Sequence, residues 1–196
     1  NLGLSLQQAN LTGTKSFNEV IERVVNFYQN KDVKAILGRG WDQNDWEDKK
    51  LPNKYYLDSL FPDIPVALRR IDGHALLVNQ KALDLAGINK MTKLEGGSII
   101  KDNGKLTGVL IDTPMSLVTA ILTKPTKKQR IDALKSAEKI GFENGITTVS
   151  IAGMDKDDIY LIDSLQKIGE LDIRVYAMIS NNKENMNHFL SVGPIS

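Results

Sequence analysis

Short apolar runs alternate with amphipathic helical segments, and this alternation constrains the fold more than any other feature of the sequence. The second half shows it most regularly, with a helix predicted over 127–144, a strand over 146–151, a helix over 157–169, a strand over 173–179 and a helix from 183. Helices and strands at this spacing predict parallel strands joined by right-handed crossovers. Because no glycine-rich phosphate fingerprint follows any strand, the pattern favours a (β/α) barrel over a dinucleotide-binding fold.

The first half predicts similar elements and one interruption. They are a helix over 16–30, a strand over 35–40, a short helix over 54–60, a strand over 64–71 and a helix over 75–86. The spacing of Ser16 and Glu19 is that of a capping box, which supports the first helix. Two short runs around Asn103-Gly104 predict a β-hairpin. We interpret this hairpin as an inserted excursion from the barrel at about 90–115.

Composition excludes several classes of function. The 196 residues contain 25 Lys and Arg against 24 Asp and Glu, and a net charge of +1 gives no electrostatic argument for nucleic-acid binding. No apolar run has the length of a membrane span. There is no cysteine and there are only two histidines. The chain therefore has no thiol nucleophile, and it cannot alone supply a zinc site made of three histidines.

Polar side chains follow two of the predicted strands. Trp41, Asp42 and Gln43 come after the first, and Arg70, Asp72 and His74 come at the end of the second. Parallel α/β folds place their sites at the carboxyl ends of strands, so we expect a shared pocket there. The sequence contains no phosphate-binding loop, nucleophile elbow or histidine pair at metal-ligand spacing that would indicate a different site.

Structural roles remain open for several of these residues. Asp72 could cap a following helix, and Trp41 could be a packing residue. Arg69 and Arg70 cannot share a face of one strand, and we favour Arg70 for the pocket because it shares a face with Asp72. His188 lies in a polar helix, and we expect it to be a solvated surface residue.

Several stretches together resemble the amidohydrolase family 3 group, the YtcJ-like metal-dependent hydrolases that include N-substituted formamide deformylases. The matching stretches, in order, are 36–43, 65–79, 82–83, 96–100, 104–110 and 145–149. The resemblance extends from Leu11 to Val192. It implies an α/β fold of the partial TIM-like barrel type, with residues 1–196 forming part of the catalytic domain of a longer protein.

The resemblance also implies a chemistry. Family members hydrolyse amide-type C–N bonds with a bound divalent metal, for which we expect zinc. The principal ligands, a His-x-His pair and a lysine that is often carboxylated, are expected outside this chain, which alone would be inactive. We therefore predict no metal ligand here and assign His74 and Asp72 as catalytic candidates. The substrate-binding candidates are Arg70, Trp41, Asp42, Gln43 and Asn79.

Two other functions stay open at this point. One is a small-molecule-binding module that retains the barrel wall without the metal centre, and the other is a structural domain. We expect a small-molecule amide as partner, no nucleic acid and no membrane. Because open sheet edges tend to pair, we also expect self-association of this chain. The lack of cysteine fits a cytoplasmic protein, and the alternative is export under a signal upstream of Asn1.

Overall fold

The computed structural model describes residues 2–122 and 125–195. They form two compact units, and α1 (Leu2–Ser5) begins the chain. Residues 5–122 form the first, which we call the sheet unit. Residues 125–195 together with 2–4 form the second, which we call the helical unit. None of the helices in the described ranges combines the length and apolar character needed to cross a membrane.

The sheet unit consists of one six-stranded sheet with helices on both faces. Its elements are β1 (Ala9–Asn10), α2 (Phe17–Tyr28), β2 (Ile36–Trp41), a 3-10 helix (Gln43–Asp45), α3 (Tyr55–Leu60), β3 (Val66–Arg70), β4 (Ala75–Val78), α4 (Gln80–Leu85), β5 (Gly97–Asp102), β6 (Lys105–Asp112) and α5 (Met115–Ile121). The strand order is β1-β2-β3-β4-β6-β5. The first three strands are parallel and the others pair antiparallel.

Helix α2 forms where the sequence predicts it. The Ser16 side chain accepts a hydrogen bond from the Glu19 amide and caps the helix. Val20 and Val24 then bury an apolar stripe in the core on one face of the sheet. A second core lies on the opposite face, where α4 and α5 contribute Leu83 and Val118. The sheet is therefore covered on both sides, and polar side chains are left to its ends.

The predicted helix over 75–86 is wrong in its first third. Residues Ala75–Val78 form β4, which pairs antiparallel with β3, and only Gln80–Leu85 are helical. Gly73, with φ of 82°, lies in the tight turn between the two strands. Four consecutive apolar residues carry no periodicity that separates a buried strand from a helix. Asp72 therefore lies in a hairpin turn, not at the start of a helix.

The predicted hairpin around Asn103-Gly104 is confirmed, but it is not an excursion. Asn103 and Gly104 both have positive φ, 47° and 75°, as a two-residue hairpin turn requires. Strand β6 pairs along β4, with Leu76 opposite Leu110. Strands β5 and β6 thus complete the main sheet of this unit.

The helical unit follows the predicted alternation. It contains α6 (Lys127–Glu143), β7 (Thr148–Met154), α7 (Lys156–Lys167), β8 (Arg174–Ile179) and α8 (Lys183–Val192). The two strands are parallel, with Val149 opposite Val175. Their shared core includes Leu161, Leu165 and Ile173. The predicted α/β class is confirmed, but in the described ranges the six-stranded and the two-stranded sheets are both open, so no closed barrel is seen.

Candidate functional site

A charged cluster lies at the end of the sheet unit where β2, β3 and β6 finish. It contains Arg70, Asp72, His74 and Asp112, which we call the turn cluster. The first three belong to β3 and the β3–β4 turn, and Asp112 is the last residue of β6. The Asp112 amide donates a hydrogen bond of 3.1 Å to the His74 carbonyl, which holds the end of β6 against the turn.

Arg70 and Asp72 form a two-pronged ion pair. Nε of Arg70 donates to Oδ1 of Asp72 at 2.9 Å, and Nη2 donates to Oδ2 at 2.7 Å. Hydrogen bonding to the guanidinium holds the pKa of Asp72 below its ordinary value, and the same bonds raise the pKa of Arg70. Both groups are therefore charged at neutral pH, and the planar fork fixes the Asp72 carboxylate.

The same carboxylate shapes the turn. Oδ1 of Asp72 accepts a hydrogen bond from the His74 amide at 3.0 Å, and the Gly73 amide donates to the Arg70 carbonyl at 3.0 Å. Nη1 of Arg69 donates to the Gly73 carbonyl at 3.2 Å. Two arginines therefore hold the turn. Arg70 binds the Asp72 side chain, and Arg69 binds the Gly73 backbone carbonyl.

His74 is bonded through one ring nitrogen, and among the residues described its other ring nitrogen has no partner. Its Nδ1 donates to Oδ1 of Asp112 at 2.8 Å, because a carboxylate can only accept. In the neutral imidazole this bond leaves Nε2 as the unprotonated nitrogen. The His74 side chain is 71% exposed. The imidazole can therefore accept a hydrogen bond, or a proton, from a bound molecule.

Asp112 is a member of the turn cluster that the sequence did not indicate. It has a positive φ of 55°, which is uncommon outside glycine and tolerated best by Asp and Asn. Such backbone conformations cluster at functional sites. The signal in the sequence is weak, since Asp112 merely follows the second of the two runs around Asn103-Gly104.

The structure places the candidates from the first polar cluster in packing and capping positions. Trp41 is fully buried, and its Nε1 donates to the Leu68 carbonyl at 2.8 Å. Asp42 caps the 3-10 helix by accepting from the Asn44 amide at 2.9 Å. Gln43 is 8% exposed, and within the described ranges its Oε1 has no hydrogen-bond partner. Asp42 still contributes to the field at Arg70, whose pKa it helps to raise.

Asn79 is a buried structural residue at the other end of β4. Its Oδ1 accepts from the Val66 and Ala82 amides, and its Nδ2 donates to the Phe61 and Ile64 carbonyls. The side chain is fully buried, and these four bonds occupy its polar atoms. Asn79 therefore has no free group to offer a substrate, and we leave it out of the proposed site.

His188 differs from its expected environment. It is half-buried, and its Nε2 lies 2.8 Å from the Tyr160 hydroxyl of α7. The ring also packs edge-on against Phe189. It is therefore an interhelical contact within the helical unit, not a freely solvated residue.

The residues present do not assemble a metal site. Across residues 2–122 and 125–195 there is no group of three or more His, Asp or Glu side chains that could hold an ion. Both oxygens of Asp72 bond to Arg70, and Nδ1 of His74 is taken by Asp112. Within the described ranges these bonds occupy most of the ligand atoms of the turn cluster, and with no third liganding residue beside His74 and Asp112 it does not fit a resident metal.

Comparison with known proteins decides the family. The model of the amidohydrolase family, in its third group, matches residues 1–193. The chain belongs to the amidohydrolase family. The resemblance inferred from the sequence motifs is thereby confirmed.

Two relatives support the assignment. Protein LONG AFTER FAR-RED 3 of Arabidopsis thaliana is 35% identical over 182 residues, which are 85% of this chain and 31% of that protein. YtcJ of Bacillus subtilis, whose name places it among the amidohydrolases, is 40% identical over 114 residues, 57% of this chain and 22% of that protein. This amidohydrolase chain thus spans less than a third of the length of either relative.

Two solved structures share the fold. One is an uncharacterized metal-dependent hydrolase from Pyrococcus horikoshii OT3, with 24% identity and a TM-score of 0.71 over 98% of this chain and 36% of that one. The other is an uncharacterized metal-dependent hydrolase from Pyrococcus furiosus, with 25% identity and a TM-score of 0.68 over 97% and 37% of the two chains. The amidohydrolase chain therefore matches about a third of each of these proteins.

Proposed function

We propose that the protein containing this chain hydrolyses amide-type C–N bonds of N-acyl or cyclic amide substrates, and that this chain supplies a wall of the substrate site. One observation carries the proposal. A fixed, solvent-facing cluster of an arginine, two carboxylates and a histidine lies at the carboxyl ends of parallel strands in a chain of the amidohydrolase family. Ligands bind at such strand ends in α/β folds.

The hydrogen bonds indicate which role each group would have in the reaction. A divalent metal, for which we propose zinc held by residues outside this chain, would polarise the scissile carbonyl and lower the pKa of the attacking water. His74, with Nδ1 tied to Asp112 and Nε2 free, is proposed to hydrogen-bond the substrate amide and to hold a proton near the leaving nitrogen.

The other members of the turn cluster position His74. Asp72 accepts from the His74 amide, and Arg70 fixes the Asp72 carboxylate, so the turn presents the imidazole in one orientation. We propose Asp72 as a positioning residue and Arg70 as its anchor. Trp41 and Asp42 are proposed to stabilise the same strand ends through their hydrogen bonds to the Leu68 carbonyl and the Asn44 amide.

The test uses the full gene product loaded with zinc and a panel of N-acyl amino acids, formamides and cyclic amides. We expect turnover of at least one class, and we expect His74→Asn to lower kcat/KM by about a hundredfold, the usual scale for a proton-handling side chain. The matched control is Asn18→Ala on the exposed face of α2. A metal-loaded protein that turns over none of these substrates would contradict the proposal.

A non-catalytic binding module is the second candidate. The described residues bring together no group able to hold an ion, which both a binding module and a hydrolase with its metal ligands outside this chain predict. The codons upstream of Asn1 discriminate between the two. A His-x-His sequence there supports the hydrolase, and its absence favours the binding module.

A further inference from the structure

A second basic feature lies beside the turn cluster, at the same end of the sheet. Asn10, Arg39 and Arg69 occupy one row across β1, β2 and β3, since Asn10 pairs in register with Arg39 and Arg39 with Arg69. Register partners on neighbouring strands point to the same face. Leu37 and Ala67, two residues earlier on the same strands, pack in the second core, which identifies the face.

In the part of the chain that the structure describes, the two guanidinium groups of this row have no carboxylate partner. Among the residues that the structure describes, no ion pair involves Arg39 or Arg69, and Arg39 is exposed. The only side-chain bond of Arg69 in those residues goes to the Gly73 carbonyl. Arg70, one residue further on, contrasts with both because Asp72 neutralises it through two bonds.

Two adjacent arginines of this kind are unfavourable unless something neutralises them. Like charges directly opposite each other in a sheet repel and destabilise the pair. Unpaired charges often protect the edges of sheets from aggregation, but β2 and β3 are interior strands of the six-stranded sheet. Protection of a sheet edge therefore does not explain these two arginines, whereas a bound anion would neutralise the charge of both.

We propose that Arg39 and Arg69 form a subsite for the carboxylate of an anionic amide substrate, of the N-acyl amino acid class. The inference rests on the proposed function and narrows its substrate. The guanidinium fork matches a carboxylate with two parallel hydrogen bonds. The row lies at the carboxyl ends of three parallel strands, and Arg69 contacts the turn that carries His74 through the Gly73 carbonyl. Asn10 is positioned in the same row as a further polar neighbour.

The direct test measures binding to the 196-residue chain and does not depend on turnover. N-acetylglycine is titrated by calorimetry against N-acetylglycinamide, which is the same molecule without the negative charge. We expect binding of the acid alone, weakened about tenfold by Arg39→Gln, as loss of a charge-assisted hydrogen bond implies. Arg69→Gln is the second variant. Lys34→Gln, which removes an exposed positive charge before β2, is the matched control and should bind as the unmodified chain does.

The outcomes separate this inference from the proposed function. Equal affinity for the acid and the amide, or unchanged affinity in Arg39→Gln, overturns the subsite. Inorganic phosphate that displaces N-acetylglycine at equal concentration overturns the carboxylate assignment. If the zinc-loaded gene product hydrolyses neutral amides as fast as anionic ones in both the unmodified and Arg39→Gln forms, the subsite fails while the hydrolase stands. If it hydrolyses none, but the chain binds N-acetylglycine through Arg39, the subsite stands while the hydrolase fails.

Discussion

Nδ1 of His74 lies 2.8 Å from Oδ1 of Asp112, a residue 38 positions further along the chain. The contact joins the β3–β4 turn to the end of β6, so the orientation of the imidazole depends on the whole antiparallel half of the sheet. The backbone bond from the Asp112 amide to the His74 carbonyl reinforces it. The β5–β6 hairpin thus brings Asp112 to the turn cluster.

The Arg70–Asp72 pair should make stability depend on pH in the acid range. The pKa of folded Asp72 is lowered, so the pair stabilises the fold above the ordinary carboxyl pKa of 3.8, and this stabilisation is lost as pH falls through the lowered value. Because the Asp72 side chain is 43% exposed, solvent screening keeps the contribution below about 1 kcal/mol. Urea unfolding near neutral pH should show Asp72→Asn less stable than the unmodified chain, with the gap closing in acid.

A double-mutant cycle supplies the control for this pair. Arg70→Gln and the double variant should reveal a coupling energy near neutral pH that vanishes in acid, where Asp72 is protonated. A coupling that persists at the lowest pH would contradict the electrostatic account. It would indicate that the turn depends on the shape of the two side chains instead.

Asn79→Ala should be among the most destabilising substitutions in the sheet unit. It removes the cap of α4 and leaves two buried amides and two partly buried carbonyls without the Asn79 side chain as their partner. We expect a loss of about 3 kcal/mol or more in the free energy of unfolding. Asn18→Ala, at an exposed position of α2, should change it by less than about 0.5 kcal/mol. Equal effects of the two substitutions in urea unfolding would show that the hydrogen bonds of Asn79 make no net contribution to the free energy of unfolding.

The sequence predicts the parts of this molecule whose signals are local. The cap of α2 at Ser16, the Asn103-Gly104 turn and the alternation of the helical unit follow from neighbouring residues. The sequence predicts a helix where β4 forms, because the four buried apolar residues of β4 carry no periodicity that identifies a strand. Asp112 was missed for a different reason, since its partner His74 becomes adjacent only when β4 and β6 pair. Long-range pairing of this kind leaves no mark in a single sequence.

Two glycines of the hairpin allow a matched test of its place in the sheet. Gly104 and Gly108 both have positive φ, 75° and 89°, so an alanine at either costs about 1–2 kcal/mol of backbone strain. A Cβ at Gly104 meets open space, whereas a Cβ at Gly108 would overlap the Val78 carbonyl oxygen and the Lys54 side chain. Gly108→Ala should therefore lower the free energy of unfolding by about 2 kcal/mol more than Gly104→Ala. Equal losses in thermal or urea unfolding would argue against close packing of β6 on β4.

We also predict self-association of the 196-residue chain. In the described part of the helical unit, β8 pairs only with β7, and it exposes Tyr176 by 67% and Met178 by 42%. An open strand edge beside exposed apolar side chains favours pairing with another copy. Light scattering should give a mass above 21.8 kDa that falls towards this value in Tyr176→Lys. A monomer at all concentrations would contradict the prediction.

The most direct test of the account is the pair of rates for the zinc-loaded gene product and its His74→Asn variant on an N-acyl amino acid. We predict that the unmodified protein hydrolyses the amide and that the variant does so about a hundredfold more slowly in kcat/KM. The variant should unfold within about 0.5 kcal/mol of the unmodified protein, because the His74 side chain is 71% exposed. Equal rates in the two proteins would contradict the claim that the turn cluster belongs to the reaction site.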